Sequence, residues 1–356
     1  MLLSLMDMLL FMMAGFMLMY MMYRPQIIKF EKSLELTIPM LPILYMFGLY
    51  AIGSIGAWFV TSNTDFIEPL TATRVLVPLG CAAAIYAAFW MFDEWAFDLT
   101  VVLAVALTVW LQPFNEGNPY PDFPHFAVQL AALVFGAGFC LGIRVLNILP
   151  HTVSVPLMCV AIGLCVLCLV GASPAYIAFC AALLIGIYGA YLTLNYYDIK
   201  IDLDDGACVV MAYLICNLML MNLGEFSFPS CIIFTMFLWV EIVVALWQRY
   251  MVTHSGMLRE NTNYYTATEL FTLQGLAVMI MRICIVLLFV GWFQLFSVNQ
   301  YSLLIVAFCL AMWLNNTNGK RSANTLKEIN REFVSELKQN IEETKSLLSG
   351  HKKDGE

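Results

Sequence analysis

Apolar positions along this chain fall in long unbroken runs rather than at the steps of two or 3.6 residues that mark half-buried strands and helices. The runs lie near 2–22, 36–60, 75–92, 98–112, 126–143, 152–170, 174–194, 207–223, 229–247, 276–296 and 302–315. A hydrocarbon core about 30 Å thick takes roughly 20 apolar residues per helix. The pattern therefore predicts an all-α integral membrane protein of about eleven transmembrane helices, with 98–112 and 302–315 the shortest. The first run has no basic n-region and no small-residue cleavage site, so it reads as a retained helix despite its internal Asp7. Past Asn315 the character changes. Leu326, Ile329, Phe333, Leu337, Ile341 and Leu348 recur at three-, four- and seven-residue steps among charges. That period predicts an amphipathic helix of roughly six turns. It can lie on the bilayer, pack on neighbouring loops or pair with a second copy as a homodimer. The chain thus divides into a polytopic region, 1–315, and a helical tail, 316–356.

Composition agrees with this reading. Of 356 residues, 62% are hydrophobic and only 12% charged, with mean hydropathy +0.81, far from the balance of a soluble domain. The charges also orient the chain. Arg24, Lys29 and Lys32 occupy the first connection. If that connection is cytoplasmic, alternation puts Arg144, Lys200, Arg249, Arg259 and every basic residue after position 319 on the same side. Only Arg74 falls outside, and Arg282 lies within a run. The expected topology is N-terminus outside and C-terminus inside, multi-pass in the inner (cytoplasmic) membrane. The chain carries no Walker or dinucleotide glycine pattern, and its net charge of −8 argues against nucleic acid. The eleven cysteines are odd in number and lack CxxC spacing, so they read as small apolar filler, like the 22 methionines.

The acids gather in the connections on the basic side. Asp93, Glu94 and Asp98 stand in "FDEWAFD", and Asp198, Asp202, Asp204 and Asp205 in "LNYYDIKIDLDDG" (194–206), while the loop 248–275 adds Glu260 and Glu269. Several acidic loops converging on one face are how a membrane-surface site for metal and phosphate is built; plain solvation of loop charges is the other reading. His125, His151 and His254 are isolated and are assigned no role.

"LNYYDIKIDLDDG" resembles the loop F-N-x-x-P-A-x-V-F-M-G-D-x-G-S of the polyprenyl-phosphate N-acetylhexosamine-1-phosphate transferases. Asn195 and Asp205 keep that loop's ten-residue separation, and "IGIYGAYLTLN" is similar to the helix leading into it. Other segments follow in the same order. "YAAFWMFDEWAFD" resembles the first acidic pair, with Asp93 kept and Glu94 for the second Asp. "RVLNILPHTVSV" is similar to N-x-[LM]-x-D-G-x-D-G, with Asn147 kept but Pro150 and Val153 in the aspartate positions. "VEIVVALWQRY" resembles V-E-x-L-S-V-I-L-Q, with Glu241 and Gln248 seven apart. "NYYTATELF" sits where the pattern has a His-rich loop, and it contains no histidine.

The resemblance, over about 80–290, implies passage of a sugar-1-phosphate from a UDP-sugar to polyprenyl phosphate in cell-envelope glycan synthesis. Mg²⁺ would align two anionic phosphates in that reaction. It implies Asp93 and Asp205 as catalytic groups, and Asp93, Glu94 and Asp205 as metal ligands. Asn147, Asn195, Lys200, Gln248, Arg249 and Arg259 would contact the substrates. The missing aspartates and histidines describe a degraded active site. The matching alternative is a catalytically silent homologue acting as a binding or scaffold subunit.

A second resemblance is to prepilin peptidases. "NILPHTVSVPL" and "NYYDIKI" echo an R-x-x-x-I-P-N-x-L-T-L-P run and G-x-G-D-V-K-L, with Pro150, Pro156, Asp198 and Lys200 in place. The first acid of that pair would fall near Ile143, and Asn195 and Tyr197 replace both glycines, so the peptidase would be inactive. For a transporter, mid-membrane ionisable residues are the mark. The runs hold only Asp7, Glu241 and Arg282; if the helices of the last two are neighbours, a Glu241–Arg282 pair would be structural glue or an orienting pair at the mouth of a cleft.

Overall fold

The computed structural model describes residues 2–33, 40–61, 71–111, 124–147, 150–169, 174–195, 203–221, 232–254, 273–296 and 298–313. They form α1 (Leu2–Ser33), α2 (Met40–Thr61), α3 (Ala72–Met91), α4 (Glu94–Leu111), α5 (His125–Leu146), α6 (Pro150–Leu169), α7 (Ala175–Leu194), α8 (Asp205–Met221), α9 (Met236–His254), α10 (Leu273–Trp292) and α11 (Gln300–Trp313). A helix overlies each apolar run, and among the described residues there is no strand. In hydrocarbon every backbone N–H and C=O must be paired within the segment, which leaves the helix as the form for such runs. Among the described residues seven helices, α1 to α7, are long and apolar enough to cross a membrane, and the chain is a multi-pass membrane protein. The apolar stretches Asp205–Met221, Met236–Leu246, Ala277–Trp292 and Gln300–Trp313 are shorter. The expected tail helix at 316–356 lies outside the described residues.

Two of the boundaries that differ from the runs bear on the charges. Helix α1 continues through Pro25 to Ser33, so the basic first connection is helical from Tyr23 to Ser33. Its "QIIKFEK" contains no glycine and several good helix formers. Helix α4 begins at Glu94, so Asp98 stands one turn inside a helix rather than in a loop.

Burial rises sharply from the outer helices to α7 and α8. All of Gly206–Met221 is buried, which makes α8 the central helix, packed against α3, α4, α5, α6 and α7. Helix α7 packs against α1, α2 and α6. The α1–α7 crossing is backbone on backbone: a Cβ on Gly186 would overlap the Met12 carbonyl oxygen. One on Gly15 would stand 2.8 Å from the Leu183 carbonyl oxygen. Where lipid removes any hydrophobic drive between helices, such small residues let main chains approach closely enough for dispersion to hold them. Phe11 stacks on Phe179 beside the crossing, 5.2 Å between rings. The outward faces are apolar, as a lipid-facing surface requires: Leu103, Leu107 and Trp110 of α4 are exposed, as are Leu10, Met13 and Met17 of α1. Two buried threonine hydroxyls are satisfied within their own helices, Thr61 donating to Ala57 O at 2.8 Å and Thr108 to Ala104 O at 2.9 Å. The Thr108 hydroxyl also meets that of Tyr213, joining α4 to the central helix.

Candidate functional site

The polar chemistry of the described residues concentrates at one end of the bundle, where α3 and α5 finish and α4 and α8 begin. Helix α8 starts there because Asp204 caps it. The Asp204 carboxylate accepts the Ala207 N–H at 2.6 Å, and its carbonyl accepts the Cys208 N–H at 3.0 Å. An Asp at this position satisfies a backbone donor that the helix cannot, and places negative charge at the positive end of its dipole. The second carboxylate oxygen of Asp204 accepts the Tyr86 hydroxyl at 3.1 Å, which ties α3 to the same point.

Asp205, one residue on, faces the end of α5. Asn147 closes that helix, its N–H reaching Arg144 O at 3.4 Å. Its side-chain amide donates to Leu203 O at 3.0 Å and to Asp205 Oδ1 at 2.9 Å. Arg144, one turn earlier, is the centre of the cluster. Its Nη2 donates to Glu94 Oε1 at 3.0 Å and its Nη1 to Asp98 Oδ1 at 3.3 Å, while Nε lies 3.5 Å from Asp205 Oδ2. The guanidinium carbon also sits 5.6 Å from the centre of the Phe97 ring. Three helices, α4, α5 and α8, thus meet through one cation, which lies in the last turn of α5 where the helix dipole favours positive charge. Exposure is graded: the Arg144 side chain is 23% exposed, Asp205 40%, Asp98 45% and Glu94 86%.

Of the residues expected at a site, Glu94, Asn147 and Asp205 come together here. Asp93 lies next to them in the chain but stays exposed, and its carbonyl accepts the Phe97 N–H at 3.0 Å as α4 begins. Asn195 is a buried end-cap of α7, its amide donating to Tyr191 O at 3.1 Å. Lys200 and Arg259 lie outside the described residues. Gln248 and Arg249 belong to the α9 backbone, and their side chains also lie outside them. The expected Glu241–Arg282 pair is not made. Glu241 is buried, Arg282 is exposed, and among the described residues no ion pair joins them.

The expected magnesium ligands do not fit a divalent ion in this arrangement. Glu94 and Asp205 are turned onto the guanidinium, and among the described residues no three of His, Cys, Asp and Glu are grouped to hold a metal. The adjoining crevice is narrow. Lined by Asn147, Ser154, Leu157, Tyr188, Tyr191 and Met211 among others, it has ≈ 10 Å³ of interior, about enough for one water.

Sequence reasoning assigned Arg144 only an orienting charge and gave Asp98, Tyr86 and Asp204 no individual role. Spacing carries part of the signal: Glu94 and Asp98 are four apart on α4 and face the same way, as do Arg144 and Asn147 three apart. His151 was also passed over. It is buried at the start of α6, and among the described residues neither ring nitrogen has a hydrogen-bond partner. Nothing in the surrounding sequence marks it. No family model matches this chain, and no curated protein is found that matches it.

Proposed function

We propose that this chain is an inner-membrane protein of eleven spans, N-terminus outside and C-terminus inside. On this reading it keeps the layout of a polyprenyl-phosphate N-acetylhexosamine-1-phosphate transferase but works as a catalytically silent binding or scaffold subunit. The eleven-span count is supported by the helix over each apolar run, and the orientation by the one-sided basic residues. The silent reading rests on one observation above the others: Arg144 engages Glu94, Asp98 and Asp205 at 3.0, 3.3 and 3.5 Å. Two of those carboxylates are the ones a transferase would need for Mg²⁺. A guanidinium neutralises them but offers no open position for a phosphate oxygen, which magnesium in such reactions must keep.

The test is transfer of radiolabel from UDP-N-acetylhexosamine to undecaprenyl phosphate by the purified protein, with Mg²⁺ or EDTA. Folded protein is expected to leave the lipid fraction unlabelled in both. Label that appears with Mg²⁺ and disappears with EDTA or in Asp205→Asn establishes the second reading, an active transferase. One observation favours that second reading. Glu94 and Asp205, which lie on either side of Asn147 in the chain, both reach Arg144, and Asp205 also accepts from Asn147, in keeping with the motif order of the resemblance. The peptidase alternative gains nothing comparable, since Ile143, where its first acid would fall, is a fully buried core residue.

A further inference from the structure

Five carboxylates of the described residues gather at this end of the bundle, on Asp93, Glu94, Asp98, Asp204 and Asp205. Arg144 is the one cation in ion-pair distance of them among the described residues. The guanidinium is divided three ways, with Nη2 on Glu94, Nη1 on Asp98 and Nε on Asp205. No pair is bidentate, so the residue works as a centre of positive charge rather than as a fork clamped on one acid. The acids come from α4 on one side and α8 on the other. Without the guanidinium, three like charges would be left between two helices, with Asp205 still held by Asn147 at 2.9 Å. Such an arrangement either separates, takes up protons or recruits another cation. Oxygen ligands from carboxylates of mixed exposure, free to rotate, are the donor set a hard divalent ion accepts.

We propose that Arg144 is the resident cation of this cluster, joining α4, α5 and α8 in the place of a divalent ion and keeping one out. The protein is then indifferent to divalent cations, and Arg144→Gln makes it dependent on them. The inference rests on the reading that these carboxylates serve no metal chemistry in the wild type, but its test reads binding and stability, not transfer.

The experiment uses the full chain in detergent. Mn²⁺ binding is followed by electron paramagnetic resonance, and unfolding by tryptophan fluorescence, in EDTA, in MnCl₂ and in choline chloride of equal ionic strength. Wild type is expected to leave the free Mn²⁺ signal unchanged and to unfold at one temperature in all three. Arg144→Gln is expected to unfold a few degrees lower in EDTA and in choline chloride, to bind about one Mn²⁺ per chain, and to recover most of the lost temperature when it does. Adding Asp205→Asn to that variant should abolish both binding and recovery. Wild-type Mn²⁺ binding that Asp205→Asn removes would overturn the proposal. So would an Arg144→Gln protein that takes no Mn²⁺, or one that fails to fold even with Mn²⁺ present. Label transfer by the wild type would sink the silent-subunit reading instead, and these binding results would still decide the role of Arg144.

Discussion

The α1–α7 crossing and the Arg144 cluster each join helices distant in the chain, and they do so by opposite means. At the crossing there is no charge and no side chain in the way: Gly15 and Gly186 bring two main chains into contact. At the cluster the helices are held apart by long side chains and joined through one guanidinium, and every member is at least partly exposed. Packing of the first kind has no slack, since backbone cannot rotate out of a clash. Ion pairs of the second kind sit where water screens them and rotamers adjust. The same bundle should therefore be brittle at one place and forgiving at the other, and the difference can be measured.

The largest effect is expected from Gly186→Leu. The new side chain meets the Met12 carbonyl and the Phe16 amide of the facing helix, so α1 must move away. Overpacking of this kind costs about 3 kcal/mol. Fluorescence-detected gel filtration in detergent should show little monodisperse protein. Gly189→Ala, one turn on, is the control: its Cβ lies 3.6 Å from a Phe16 ring carbon, an ordinary contact. It is expected to stay within roughly 0.5 kcal/mol of wild type. If both variants behave alike, the crossing is not held by close backbone approach.

Next comes Asp204→Ala, which removes the cap of the central helix and the acceptor of the Tyr86 hydroxyl. The expected loss is about 1–2 kcal/mol, read as a lower unfolding temperature. Asp204→Asn, which keeps a capping oxygen, should recover most of it. Equal loss in both variants would mean that the charge, and not the cap, matters there.

The positions of these features were unequally legible in the sequence. The helices could be read directly, because lipid permits one answer for a long apolar run and that answer does not depend on what the run packs against. The site could be read only in part. That acids from separate connections gather at one end of the bundle follows from their places between the apolar runs. The role of Arg144 depends on α4, α5 and α8 being neighbours, which no local pattern states. Asp98 reads as a loop acid because it stands at the very edge of the apolar run 98–112, whereas helix α4 starts four residues earlier, at Glu94. Asp204 and Asp205 look interchangeable in "DLDDG". The capping rule separates them, since the residue just outside the helix is the one whose side chain can reach back to the third N–H. Here that residue is Asp204, and Asp205 is left to face Arg144.

The smallest effect should come from within the cluster itself. Glu94→Gln removes the shortest of the three ion pairs, 3.0 Å, but also the most exposed acid, at 86%. By distance it should matter most, and by exposure least. Exposure decides here, because solvent already stabilises that carboxylate and the side chain loses rotamer freedom to keep the bond. A change below about 0.5 kcal/mol is expected, with a difference from wild type that fades as salt is raised. Asp205→Asn removes the longest pair, 3.5 Å, yet should cost more, because that acid is also held by Asn147 and stands in the first turn of α8. Unfolding temperatures of the two variants in low and high salt give the order. Glu94→Gln costing more than Asp205→Asn would mean that contact distance, and not burial, sets what the guanidinium contributes.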